Sequence, residues 1–249
     1  LPLMQKLEAA GIPVILNTSK TLAELRSWIV RLGNRHPFIV ENGSAIYIPA
    51  DSPLLHGNGE AETGIEDQGE YHVITTGTPI EKLRNFKQAH NPDALDLTEC
   101  TLEAAIEITG LGEQEAREAQ DRQYSIPLQF ADPEAERKFA QAASDAGFGI
   151  LRGGRFLHHM GATDKGRSML RLKQLYERVY DYPYRTIALG DSPNDLQMLE
   201  AADVAVAVAS PSSARLSPAN ARLVRTEQLA PEGWVEGVEK ALEQLSITL

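Results

Sequence analysis

The sequence predicts an α/β protein: a parallel, Rossmann-like sheet with helices on both faces, interrupted by an inserted α+β cap domain. Three observations predict it. Short apolar, β-branched runs (IPVILNT, FIVENG, TIALGD, VAVAV) alternate with helical patterns toward both ends of the chain, and such runs are typical of strands covered on both faces by helices. A middle block breaks that alternation and mixes antiparallel-type strands with helices. Finally, polar residues collect just after the apolar runs, where open parallel sheets bind ligands. These features divide the chain into a core domain of residues 1–69 and 162–249 and a cap of residues 70–161.

Residues 1–10 read as an amphipathic helix, with Leu3, Leu7 and Ala10 on one face and Gly11 as the stop. IPVILNT follows as a buried-type strand ending in Asn17 and Thr18, and residues 21–32 form the next helix, with Leu22, Leu25, Ile29 and Leu32 at helical spacing. PFIVENGSAIYIP gives strand, turn and strand around Asn42-Gly43. Residues 57–69, acidic and glycine-rich, read as a loop or linker. In the middle block, YHVITTG is a strand, and residues 79–89, 102–109 and 113–123 are helices. YSIPLQF is a strand, residues 133–146 a helix, and FGILRGGRFLHHMG a hairpin turning at Gly153-Gly154. Alternation then resumes. A helix opens at Lys165 and runs to about Val179, TIALGD is a strand and SPNDLQMLEAA a helix. VAVAV and RLVRT are strands, and residues 232–245 a closing helix.

Composition narrows the function. With 249 residues and 42% hydrophobic content, the chain can bury a core domain plus a smaller insert. A formal net charge of −11 argues against nucleic acid or an anionic membrane as partner, because both require clustered Lys and Arg. No stretch is long enough to span a bilayer. The single Cys100 excludes an internal disulfide framework and fits the reducing cytosol, so a cytoplasmic protein is expected. The chain opens at Leu1 without an initiator Met, directly before a helical pattern, which raises the expectation of an upstream segment.

The strand ends assemble a defined set of side chains. VILNTSK delivers Thr18, Ser19 and Lys20; FIVENG delivers Glu41 and Asn42; TIALGD delivers Asp191, followed by Ser192, Asn194 and Asp195; and Lys165 stands at the head of another helix. Hard oxygen donors without thiolate suit Mg²⁺, which binds through one or two carboxylates plus substrate phosphate. Thr18 and nearby backbone N–H groups suit phosphate oxygens, Lys20 is placed to reach a substrate anion, and Lys165 supplies a fixed positive charge. Taken singly, Ser192 and Asp195 also suit a helix N-terminus, Thr18 a turn, and Glu41 and Asn42 a turn and nothing more. It is their joint order that points to a phosphate site.

VILNTSKT, IVENGSAIYIP, GATDKGRSM and GDSPNDLQMLEAADVAVAV together resemble the motifs of the haloacid-dehalogenase-like phosphohydrolases with a large inserted cap. More narrowly, TSKT, ENG, TGLGEQEA, RQYSIP and GGRFLHHMG are similar to those of the mannosyl-3-phosphoglycerate phosphatases. The resemblance implies a Mg²⁺-dependent phosphomonoesterase acting on a small phosphorylated sugar acid. Thr18 would be the phosphate-binding hydroxyl, Lys165 the motif lysine and Asp191 a metal ligand. Asn194 would assist at the metal, and Asp195 would be either a ligand or a brace for Lys165. Cap residues Arg122, Arg155 and His158 fall in stretches resembling substrate-recognition motifs, an arginine fork suiting a glycerate carboxylate.

The resemblance also implies an Asp-x-Asp motif at the end of a central strand, the first Asp attacking phosphorus and the second serving as acid and base. No such motif occurs in the sequence, and the expectation is that it lies upstream. Two further possibilities stay open: a sugar phosphomutase of the same superfamily, and a non-catalytic phosphate- or metabolite-binding module. Of the remaining signals, adjacent His158 and His159 would face opposite sides of a strand and so not share a metal. Trp28 and Trp234 read as packing, and Cys100, with no histidine partner, is not expected to be a nucleophile.

Overall fold

The computed structural model describes residues 2–55 and 64–249. In the first segment, helix α1 (Pro2–Ala9) buries Leu3 and Leu7, whereas Ala10 is exposed beyond its end. Strand β1 (Leu16–Asn17) leads into α2 (Leu22–Leu32). That helix starts with a full capping box: the Thr21 hydroxyl accepts from Glu24 N–H, and the Glu24 carboxylate from Thr21 N–H. Strands β2 (Phe38–Val40), β3 (Ala45–Pro49), β4 (Ile65–Asp67) and β5 (Tyr71–Thr75) complete a five-stranded sheet of order β1-β2-β3-β5-β4. The β1–β2 pair is parallel and the others are antiparallel.

This sheet corrects two expectations. YHVITTG, assigned to the cap from sequence, pairs along its length with β3, Ala45 opposite Thr75 and Pro49 opposite Tyr71. The flanking sheet therefore extends past residue 70, and the inserted unit starts after Thr75. Of the acidic stretch read as a loop, residues 57–63 lie outside the described residues, while Ile65–Asp67 form the edge strand β4. Polar composition concealed it because an edge strand exposes much of its surface to water.

The inserted unit contains α3 (Ile80–His90), β6 (Leu95–Asp96), α4 (Leu102–Thr109), α5 (Glu113–Gln120), β7 (Ser125–Gln129), α6 (Pro133–Asp145), β8 (Gly149–Arg152) and β9 (Leu157–Met160). Its four strands form an antiparallel sheet of order β6-β7-β9-β8. Period-two alternation separates the faces. Ile126, Leu128 and Leu157 pack against Leu83 and Phe139 of α3 and α6. His159 lies on that same face among the rings of Phe86, Phe139 and Phe148. Ser125, Pro127, His158 and Met160 occupy the opposite face.

The last segment restores the parallel pattern with α7 (Lys165–Tyr180), β10 (Ile187–Gly190), α8 (Leu196–Ala201), β11 (Val204–Ala209), β12 (Leu223–Leu229) and α9 (Glu232–Gln244). The strands form a parallel sheet of order β10-β11-β12. Along β11 the alanines face α8, with Ala205 and Ala207 in one cluster with Met198 and Leu199. Val204, Val206 and Val208 face α9. Helix α7 also covers the first sheet, Leu172 and Leu175 packing on Ile39, Ile46 and Ile74. The opposite faces are covered by α2 on the first sheet and by α1 and α9 on the second. Ile12 and Val14, leading into β1, share a cluster with Ile187 and Leu189 of β10, so the two sheets meet side by side between common helical layers. Among the described residues, β1 and β10 each have a strand partner on one side only.

Candidate active site

Three chain segments converge where the parallel strands end. The first is the Thr18–Thr21 loop after β1. The second is the turn after β2, where Glu41 and Asn42 both take left-handed backbone angles (φ 47° and 58°) and Gly43 has φ 92°. Only glycine fits at 43: a Cβ there would lie 2.2 Å from the carbonyl oxygen of Asp164, immediately before Lys165. The third is the loop after β10, whose 3₁₀ turn spans Pro193–Asp195.

Short contacts link these segments. Asn42 N–H donates to the Thr18 carbonyl at 2.9 Å, and Asn194 Nδ2 donates to Asn42 Oδ1 at 3.3 Å. Asn17 Nδ2 donates to the Lys165 carbonyl at 3.0 Å, joining the end of β1 to the start of α7. Lys165 Nζ donates to Asp195 Oδ1 at 2.6 Å, with both side chains buried. The other oxygen, Asp195 Oδ2, accepts from the backbone N–H groups of Asp191 and Ser192 and from the Ser192 hydroxyl. Every oxygen of Asp195 is thus engaged in fixing the loop and the lysine. This is the geometry of a brace for Lys165. Gly190 permits the close approach, since a Cβ there would meet the Asp195 side chain at 2.4 Å.

Asp191 differs. It is exposed at the strand end, and its backbone is held from two sides: N–H to Asp195, and carbonyl by the Ser210 hydroxyl at 2.8 Å. Its carboxylate and the amide oxygen of Asn194, which accepts from Ser192, are hard oxygen donors carried on the same short loop. Among the described residues no group of three or more His, Cys, Asp or Glu is gathered in a way that could hold a metal. Asp191 and Asn194 supply oxygen donors of the kind Mg²⁺ takes when water and a phosphate complete its shell.

The remaining expected residues divide. The Ser19 carbonyl accepts from Arg122 Nη2 at 3.3 Å, and Lys20 Nζ turns to Glu24 at 2.9 Å on the exposed side of α2. Arg122 does not form the open fork expected from sequence. It is buried, donating to the Ala119 carbonyl and the Ser125 hydroxyl as well as to Ser19, so its donors join cap to core. Arg155 is exposed and caps the C-terminal carbonyls of α4 at Ile108 and Thr109. His158 lies on the cap face opposite α3 and α6; burial, reinforced by the Arg122 charge, pushes its pKa down to about 3, so the ring is neutral. Sequence reasoning missed Ser210, which steadies Asp191 from the next strand, and Asn17, whose polar amide at the end of an apolar run was a usable signal.

The strand ends thus gather a buried lysine–aspartate pair and an exposed acid beside an inserted α+β unit, an architecture of the α/β class with a cap. Residues 161–227 match the family model of the haloacid dehalogenase-like hydrolases. A glucosyl-3-phosphoglycerate/mannosyl-3-phosphoglycerate phosphatase from Methanococcoides burtonii is 33% identical over 240 residues, covering 94% of this chain and 86% of that protein. A phosphatase of the same name from Persephonella marina is 28% identical over 98% of this chain and 90% of its own length. In fold, the chain is similar to a haloacid dehalogenase-like hydrolase from Bacillus subtilis, with a TM-score of 0.62 and 15% identity, covering 97% of this chain and 90% of that one. The chain belongs to the haloacid dehalogenase-like hydrolases, in the family of the glucosyl-3-phosphoglycerate/mannosyl-3-phosphoglycerate phosphatases.

Proposed function

We propose that this protein is a Mg²⁺-dependent phosphomonoesterase that releases phosphate from mannosyl-3-phosphoglycerate, leaving mannosylglycerate. The observation that carries the reading is the buried Lys165–Asp195 pair at the strand ends, tied by Asn17 to the end of β1 next to Thr18 and by Asp195 to the N–H of Asp191. The names of the relatives supply the substrate.

Asp191, assisted by Asn194, would hold the cation, which when bound offsets negative charge on the phosphoryl oxygens. Thr18 donates its hydroxyl to a phosphoryl oxygen, and Lys165 contributes a positive charge that Asp195 keeps in one position. Since no Asp-x-Asp occurs in the 249 residues, the reading assigns the nucleophile to a parallel strand lying between β1 and β10, whose inner edges have no strand partner among the described residues. Such a strand would end beside Thr18 and Asp191. The cap selects the organic part of the substrate, with Arg155 and His158 on the side of the glycerate. Among the described residues no helix is long and apolar enough to cross a membrane, and the lone cysteine suits the cytoplasm.

The test is phosphate release from mannosyl-3-phosphoglycerate with and without Mg²⁺. Chelation should abolish turnover, and Asp191→Asn should lower kcat at least 100-fold while the unfolding midpoint stays within a few degrees. Full activity in Asp191→Asn removes that residue from the mechanism, and an isomerised phosphosugar in place of free phosphate makes the protein a mutase.

A further inference from the structure

The turn after β2 carries a carboxylate that the proposed chemistry does not use. Glu41 is 2% exposed, and the hydrogen-bond partners of its carboxylate belong to the inserted domain. Oε1 accepts from Gln123 N–H at 2.9 Å, and Oε2 from Tyr124 N–H at 3.1 Å and from the Ser125 hydroxyl at 2.6 Å. Arg122 Nη1 stands 4.0 Å from Oε2. A core side chain thus accepts from two backbone donors at the entry to the cap strand β7, of which Tyr124 N–H belongs to a buried residue and would otherwise lack an acceptor.

The same turn contacts the other moving parts. Glu41 N–H donates to the Lys20 carbonyl, and Asn42 N–H to Thr18. The Gly43 carbonyl accepts from Thr76 at 2.5 Å and from Thr163 at 3.1 Å, residues in the two connections between core and insert. It also accepts from Ser168 in α7 at 2.5 Å. Close by, Thr21 Oγ1 donates to the Glu118 carbonyl of α5, and Arg122 to Ser19. Ser19, Thr21 and the turn therefore contact one patch of the cap within residues 118–125.

We infer that Glu41 is a positioning residue: its buried carboxylate fixes the cap over the phosphate-binding loop, so that seating of a cap-recognised substrate depends on it. The inference rests on the proposed phosphatase activity for its kinetic consequence but on geometry alone for the latch. Replacing the carboxylate by an amide sets an –NH₂ group against at least one of the two backbone N–H donors, which removes that bond and leaves the donor facing another donor.

Two variants of the full chain test this, Glu41→Gln and, as the milder change, Ser125→Ala, which removes a single bond. In Glu41→Gln the amides of Gln123 and Tyr124 should exchange with solvent at least tenfold faster, while those of β11 keep their wild-type rates. With mannosyl-3-phosphoglycerate, KM should rise at least tenfold in Glu41→Gln and a few-fold in Ser125→Ala. With 4-nitrophenyl phosphate, too small to need the cap, kcat/KM should stay within threefold. Unchanged exchange at 123–124 overturns the latch. So does an equal loss on both substrates, or none on either. Should the wild-type protein hydrolyse neither substrate, that failure belongs to the functional assignment, and the exchange measurement alone decides the latch.

Discussion

Lys165 and Asp195 place opposite charges 2.6 Å apart with almost no contact with water. Removing two charges from solvent is costly, and their attraction repays it only where the remaining polar atoms are also bonded. Asp195 meets that condition through the donors of Asp191 and Ser192. Breaking one partner leaves a buried, uncompensated charge, at a cost of about 3–5 kcal/mol. Asp195→Asn should thus be strongly destabilised in urea unfolding, because its amide would face an ammonium. Lys165→Met, which leaves Asp195 with its three other donors, should lose less stability but just as much activity. A wild-type unfolding free energy for Asp195→Asn contradicts the brace. Asp191, exposed and unburdened, should behave oppositely, important for turnover and nearly silent in stability.

The cap strand β9 shows how one element divides its roles by side-chain parity. His158 and His159 were legible from sequence as facing opposite ways, because adjacent strand residues must. What surrounds each was not legible, since the rings of Phe86, Phe139 and Phe148 come from other elements of the insert. His159 is fully buried there, with neither ring nitrogen bonded. Burial lowers its pKa from 6.5 to about 4, opposed by the backbone at Leu83 and aided by the nearby charge of His90. Its neutral form is favoured in the fold, so this contribution is complete above pH 6.5. As pH falls from 6.5 to about 4, the unfolded chain takes up a proton that the folded chain resists, and stability drops. A shift of this size corresponds to about 3 kcal/mol. His159→Leu should flatten the pH dependence of unfolding over that interval, as read from urea midpoints at a series of pH values. An unchanged slope would place the acid sensitivity elsewhere. Helix boundaries were easier to read than such surroundings because their signals are local: Thr21 and Glu24 mark the start of α2 within four residues. By contrast the pairing of β5 with β3 was not legible, since nothing within YHVITTG tells which strand is its partner.

Across the molecule, two sheets share helical layers, with α7 packing on both. The ends of β1 and β10 were legible because open parallel sheets bind ligands there, which singles out Thr18 and Asp191, whereas Lys165 heads α7 and follows from no such rule. The cap–core contact was not, because the bonds of Glu41 and Arg122 join residues some 80 to 100 positions apart. The same architecture sets an order of local stability. Strand β11 is paired on both sides, and Val204, Ala205 and Val206 are completely buried between α8 and α9. Strand β1 is two residues long, half-buried and paired on one side. Opening β1 sacrifices few contacts, whereas opening β11 exposes both helical layers and so requires global unfolding. Native-state hydrogen exchange should find the β11 amides at the global limit and those of Leu16 and Asn17 orders of magnitude faster. Adding a synthetic peptide carrying an apolar strand that ends in Asp-x-Asp should slow exchange at residues 16–17 and 187–190 and leave β12 unaffected, because only the edges of β1 and β10 border the position assigned to the nucleophile. Protection appearing at β12 instead would mean that the peptide adds to the outer edge of the sheet, and the assignment of the central strand would fall with it.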